Sequence, residues 1–387
     1  MKSTRNRLFD IIKILIGAGL LYFLYTRLEN PQTLWEQILG ADKAKLLIAS
    51  AFYAGAVAVS ALKWFVLLRA RGVAVPFRAV VAYQWVGEFF NYALPTGVGG
   101  DLLRGYGLAR DTNRRADAAV SVIIDRFVGL TTFVVAAALA SWVILGHGSQ
   151  ADGTPFTPEN QSYLGLLSLA AALVAVMLLV ILAVMLSRRL KRFFEGILAR
   201  LPLADRILPI YRTLADAFNA YHDRLWAIGL SALGSLIILV LSSVAIWFLA
   251  EAVQPGSIKF LSIFAMNPIV GFVLLVPLAP GGAGLRQGAF VVLLGLVGVA
   301  ENLAFAVGLL QHAMGLVVSL PGVYLWAAGK RRTQTLADAS AEAPLAPQPW
   351  GESPTTSPTT SPTTSPTTSP RIGGQGAKES GSHDHPH

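Results

Sequence analysis

Two arginines in this chain close the same string. Arg104 ends "PTGVGGDLLR", which begins at Pro95, and Arg286 ends "PLAPGGAGLR", which begins at Pro277; both read P-x3-G-G-x2-L-R. Glycine removes the Cβ that would keep a ligand from the backbone. Free amides at a helix start favour an anion, and a guanidinium meets phosphate with two parallel bonds. The chemistry on offer is capture of a phosphate. In the first string Asp101 follows Gly99 and Gly100 and is placed to cap a helix. The second string has Gly281, Gly282 and Gly284 without the acid, and Gln287 after its arginine. The alternative is tight packing of small residues beside a snorkelling arginine. Duplication of the whole string favours ligand handling.

Other polar groups stand among apolar residues. Gln84, Glu88, Asn91 and Pro95 are spaced to line one face of a helix, with Val81, Phe89 and Leu94 opposite. A polar stripe that runs into a glycine break suits a water-filled cavity or a headgroup path; hydrogen-bonding glue between helices is its bland counterpart. Asp125 and Arg126 are helix neighbours, which point about 100° apart, so each is expected to find a partner on another helix as part of a buried ion-pair network. Lys63 is expected to snorkel, and His312, beside Gln311, to be a satisfied buried histidine. H-E-x-x-H, G-x-S-x-G and Walker A strings are absent, as are paired carboxylates at metal spacing and cysteine altogether. No catalytic residue, metal or cofactor is expected, and the terminal "HDHPH" is read as inert.

The elements that must position these groups follow from composition. Of 387 residues 54% are hydrophobic and 14% charged, with mean hydropathy +0.56, against about 25% charged in soluble domains. Such a chain cannot cover its surface in water and need not in lipid. It is an all-α, polytopic integral membrane protein. The net charge of +9 belongs to cytoplasmic loops and anionic headgroups rather than to nucleic acid. Apolar runs sufficient for ~30 Å of hydrocarbon lie at Leu8–Thr26, Leu46–Leu68, Ala118–Leu145, Ser162–Leu186, Leu225–Ala252 and Asn302–Ala328, the first read as an uncleaved helix. Lys and Arg crowd the N-terminus, the loop after the second run, the stretch 187–224 and the end of the last run, while 146–161 has none. Both termini are therefore expected in the cytoplasm.

Two short runs, Val80–Leu94 and Phe264–Leu278, lead into the glycine strings. The charges place the first string's flanks inside and the second's outside, so the two segments would be re-entrant hairpins or broken helices entering from opposite faces. Six to eight membrane helices result. Opposite entry of similar strings is the signature of an inverted-topology repeat, with a site where the halves meet. Residues 1–330 form the membrane domain; within it 187–224 is amphipathic and reads as a cytoplasmic interfacial segment. Residues 331–387, with "SPTTSPTTSPTTSPTTSP" at Ser353–Pro370, read as a disordered cytoplasmic tail. Truncation after Arg332 is expected to leave membrane insertion and activity intact, measured as membrane-fraction level and transport; lost activity at an unchanged level would show that the repeats dock a partner.

"FNYALPTGVGGDLLRGYGLAR", then "DRFVGL", then "PGGAGLRQGAFVVLLGLVGV" resembles the lysylphosphatidylglycerol synthase transmembrane family, over roughly Arg7 to Arg331. The resemblance implies a flippase-like protein of a bacterial or archaeal cell membrane. It assigns ligand handling to Asn91, Pro95, Gly100, Asp101, Arg104, Gly281, Gly282, Gly284 and Arg286, and an acid–arginine pair to Asp125 and Arg126. Gln287 stands where the family usually has glutamate, which puts any coupling through that acid in doubt. The soluble aminoacyl-transferring domain of bifunctional relatives does not follow. The expected function is translocation or handling of a phospholipid or lipid-linked envelope intermediate, with anionic or phosphate-bearing lipids as partners; Glu88, Gly99 and Gln287 complete the expected substrate site. A lipid-headgroup transferase using Asp101 or Glu88 as base, or a non-catalytic partner of an envelope-synthesis complex, are the alternatives.

Overall fold

The computed structural model describes residues 2–28, 30–94, 99–147, 154–187, 193, 195, 196, 204–276 and 278–342. Five segments are long and apolar enough to cross a membrane: Lys43–Ala70, Arg115–Gly146, Pro158–Leu186, His222–Val253 and Glu301–Ala328. They fall in helices α3 (Lys43–Ala70), α6 (Arg115–His147), α7 (Pro158–Leu186), α9 (Leu225–Val253) and α12 (Glu301–Glu342). The first helices, α1 (Lys2–Arg27) and α2 (Pro31–Leu39), are bent by 104° at their break and together make a sixth candidate. Local chemistry sets the starts. The Asp42 carboxylate accepts from the Ala44 amide at 2.9 Å to open α3. Thr157 and Pro158 do the same for α7, with proline at the first position, where no amide is needed.

The segments carrying the glycine strings do not add full crossings. α4 (Phe77–Ala93), α5 (Gly99–Arg110), α10 (Phe260–Val273) and α11 (Leu285–Gly295) have 17, 12, 14 and 11 residues, each below the roughly 20 that a spanning helix needs. Among the described residues the span count is therefore five or six, where six to eight were expected; the second string runs through the break between α10 and α11, and the described part of the first, Gly99 to Arg104, opens α5. Pro95, Thr96, Gly97, Val98 and Pro277 lie outside the described residues.

The order long, short, break, short, long occurs twice, as α3–α4–α5–α6 and α9–α10–α11–α12. The same number of positions separates Lys43 from Leu225, Pro95 from Pro277 and Arg104 from Arg286. The equivalent helices α3 and α9 pack side by side and antiparallel. Lys45 Nζ donates to the Glu251 carbonyl at 2.9 Å near one end, and Lys63 Nζ to Ser235 Oγ at 3.0 Å toward the other. Antiparallel packing of equivalent elements is what a two-fold axis in the membrane plane requires.

α1, α2, α7 and α8 (Ala204–Asn219) lie outside the repeat. Tyr211, Ala215 and Phe218 on α8 pack against Leu67, Ile124, Val128 and Met185, and Tyr221 Oη donates to the Leu67 carbonyl at 3.1 Å. This apolar face covers the end of the helix bundle, while Arg212 on the exposed side pairs with Glu195. Residues 188–192, 194 and 197–203, which carry most of the expected amphipathic face, lie outside the described residues, as do the SPTT repeats and the terminal histidines. Met1–Gln334 is one compact unit and Thr335–His387 a separate one.

Candidate functional site

A cavity of about 280 Å³ opens between the two halves. The first half supplies Tyr53 from α3, Glu88, Asn91 and Tyr92 from α4, and Arg126 from α6. The second supplies Gly271, Leu274 and Leu275 from the end of α10, then Ala279, Gly281 and Gly282, and Arg286 from α11. The stripe read on α4 thus reaches the cavity with Glu88 and Asn91. The Tyr53 hydroxyl donates to Glu88 Oε1 at 2.7 Å and lies 2.9 Å from the Tyr92 hydroxyl. Arg286 Cζ stands 5.5 Å from the centre of the Tyr92 ring, and its Nη2 donates to the Gly281 carbonyl at 3.4 Å. Its buried Nε has no hydrogen-bond partner among the described residues. His312 packs edge-on against Tyr92 at 5.6 Å; contrary to the expectation of a satisfied histidine, its buried Nδ1 has no hydrogen-bond partner there either.

Arg104 does not line this cavity. Its side chain is 2% exposed, and its Nη2 donates to Asp125 Oδ2 at 2.7 Å. Its Nη1 donates to Gln84, its Nε lies 3.0 Å from Asp101 Oδ1, and the Trp64 ring covers Cζ at 4.8 Å. Asp125 also pairs with Lys63 at 3.1 Å, and Asp101 with Arg126. A single chain of charges results: Lys63, Asp125, Arg104, Asp101, Arg126. Three cations against two carboxylates leave one positive charge unbalanced. Arg126 is the member at the cavity end, with a 51% exposed side chain, whereas Arg104 is enclosed. Arg104 spends its contacts on two carboxylates and a glutamine carbonyl inside the protein, whereas Arg126 opens onto the cavity. Asp125 and Arg126 are therefore members of one network that do not pair with each other.

Residues 11–322 match the lysylphosphatidylglycerol synthase TM region. The chain belongs to that family. No curated protein matches it. Several residues that the family resemblance marked prove to have precise neighbours in this lysylphosphatidylglycerol synthase TM region. Asp101 is not a helix cap: α5 begins two residues earlier, at Gly99, and the Asp101 carboxylate reaches Arg126 and Arg104 instead. The Gly100 amide is held from another helix, by Asn91 Oδ1 at 3.0 Å. Gly99, Gly100, Asp101 and Arg104 are all buried, and none of them lines the cavity. Pro95 lies outside the described residues.

Gly100 is needed for close approach, with a helix rather than a ligand as the neighbour. A Cβ there would overlap the Gly87 carbonyl oxygen and crowd Asn91 Oδ1. Gly100→Ala is expected to force α5 away from α4 and lower stability by about 1–3 kcal/mol, read as a drop in the thermal midpoint of detergent-solubilised protein. An unchanged midpoint would mean that the two helices are not in this contact. In the second string Gly281, Gly282 and Gly284 have φ of 57°, 74° and 78°, a backbone that other residues rarely adopt. Gln287 is 1% exposed and accepts from the Gly284 amide at 2.8 Å, which caps α11; it does not face the cavity.

Two participants carried no readable signal, and a third was placed wrongly. Tyr53 and Tyr92 look like ordinary aromatics in apolar helices. Lys63, expected to snorkel, is buried because Asp125 and Ser235 satisfy it in place and Gly234 leaves room for its stem, a Cβ there lying only 3.2 Å from Lys63 Cβ.

Proposed function

We propose that this membrane protein of a lipid-handling family translocates a phosphate-bearing lipid between leaflets, with the headgroup in the cavity between the repeats. The observation that carries the reading is the pair of guanidiniums that line that cavity, Arg126 from the first half and Arg286 from the second. Arg126 takes the place that the sequence had suggested for Arg104. A phosphate between them would be held by both repeats at once, the arrangement in which rocking of one half against the other exposes a fixed site to each side in turn. Glu88, hydrogen-bonded to Tyr53, offers an acceptor to a hydroxyl or amine elsewhere on the headgroup. The cell membrane, with both termini in the cytoplasm, is the location that the loop charges support. Any partner protein would belong to envelope-lipid synthesis.

The test uses purified protein in vesicles containing phosphatidylglycerol labelled on one acyl chain, with a membrane-impermeant quencher to report leaflet. Labelled lipid should become accessible from the opposite leaflet faster than in protein-free vesicles, at unchanged mass. No acceleration, for this lipid or for those of a bacterial lipid extract, would overturn the proposal. The second reading, a headgroup transferase, rests on the Glu88 carboxylate as the one acid among the described residues that line the cavity; it requires a lipid of altered mass in the same vesicles.

A further inference from the structure

A second cavity, of about 140 Å³, lies on the far side of α10. Its walls are entirely apolar: Ala137 from α6, Ala170, Ala171 and Val174 from α7, and Pro268 and Ile269 from α10 are among them. α10 is thus a thin partition. Gly271, Leu274 and Leu275 look into the polar cavity, while Pro268, Ile269 and Phe272 look into the apolar one. By helical spacing these two sets occupy adjoining faces. At the crossing between them stands Gly271, which is exposed, and a Cβ built there would meet nothing within 4 Å. The partition therefore has an open saddle beside the polar cavity.

We infer that the apolar cavity seats one acyl chain of the same lipid whose headgroup occupies the polar cavity, the chain passing over Gly271. The inference rests on the headgroup reading above and adds a second subsite, apolar and formed by α6, α7 and α10. Polar and apolar ends of one molecule need neighbouring polar and apolar compartments, and a single short helix with a gap at a glycine provides them. The occupant is a hydrocarbon chain because no polar side chain among the wall residues could satisfy anything else. It also gives α7, a helix outside the repeat, a part in binding: Ala170, Ala171 and Val174 close the side of the groove that α6 and α10 leave open.

The test uses full-length protein in phosphatidylcholine vesicles containing a little phosphatidylglycerol with a photoactivatable diazirine in mid-chain. Crosslinked peptides are mapped by mass spectrometry, and binding of sn-glycerol 1-phosphate is followed by calorimetry on the same preparations. Crosslinks should appear at Ala170, Ala171 and Ile269. They should be displaced by unlabelled phosphatidylglycerol but not by more phosphatidylcholine, and should fall to the level of other lipid-facing sites in Gly271→Phe and Ala171→Phe. Glycerophosphate should still bind Ala171→Phe. Groove labelling that ignores both phosphatidylglycerol and the two substitutions, with glycerophosphate binding intact, would overturn the acyl seat and leave the headgroup reading standing. Failure of glycerophosphate to bind the wild type would instead overturn the headgroup reading on which the seat depends.

Discussion

Arg104→Ala is expected to remove most folded protein from the membrane. The guanidinium touches Asp125, Asp101 and Gln84 and lies against Trp64, all within an interior that leaves it 2% exposed. Its removal strands two carboxylates. Asp125 keeps only Lys63, and Asp101 keeps only Arg126, whose side chain is half-exposed. Breaking a buried pair by deleting one partner costs about 3–5 kcal/mol, against a total stability of about 5–15 kcal/mol for a typical domain. Lysine should rescue poorly, since one ammonium cannot reproduce a fork that reaches Asp125 and Gln84 together. Size-exclusion profiles and thermal midpoints in detergent read the effect. Wild-type stability with transport abolished would place Arg104 in the ligand's path instead.

Arg126→Ala and Arg286→Ala should behave in the opposite way, with folding kept and transport lost. Arg126 is partly exposed, and Asp101 retains Arg104 at 3.0 Å when it goes. Among the described residues Arg286 makes one long hydrogen bond, to Gly281, so its loss releases little. A charge-assisted hydrogen bond to a ligand is worth about 1.5–3 kcal/mol, so each variant should transport about ten- to hundred-fold more slowly at subsaturating lipid. Lysine at either position should restore only part of the rate because it offers a point charge in place of a planar fork. Initial rates in vesicles, normalised to folded protein, decide this. Full activity in the double alanine variant would remove the anion site.

The helical membrane class, the six long apolar runs and the two broken segments were readable in the sequence because lipid imposes long-range patterns on composition that survive without knowledge of contacts. The duplication was readable from Pro95 and Pro277 through Arg104 and Arg286; its second copy lines the cavity with Gly281, Gly282 and Arg286, whereas the described part of the first, Gly99 to Arg104, does not. Which arginine faces the cavity was not readable. Arg104 and Arg126 differ only in what lies beside them, and Gln84, Asp125 and Trp64 reach Arg104 through packing of α3, α4, α5 and α6. Asp101 suggested a cap because glycines precede it, yet two basic side chains outcompeted its own backbone. Lys63 and Ser235 are on different repeats, and nothing local to either announces the other. Gly100 was read as room for a ligand, and that room holds the Gly87 carbonyl.

The central claim is that two hairpins of opposite entry close on one cavity, and site-directed thiol labelling tests it most directly. The chain has no cysteine, so single cysteines can be placed without background. Ala93, exposed at the end of α4, and Leu278, 41% exposed beside the second string, stand at the two hairpin breaks. With a membrane-impermeant maleimide on oriented vesicles, Ala93→Cys should react from the cytoplasmic face alone and Leu278→Cys from the outer face alone. Reaction of both from one face would contradict the inverted repeat and, with it, a cavity that opens to each leaflet in turn.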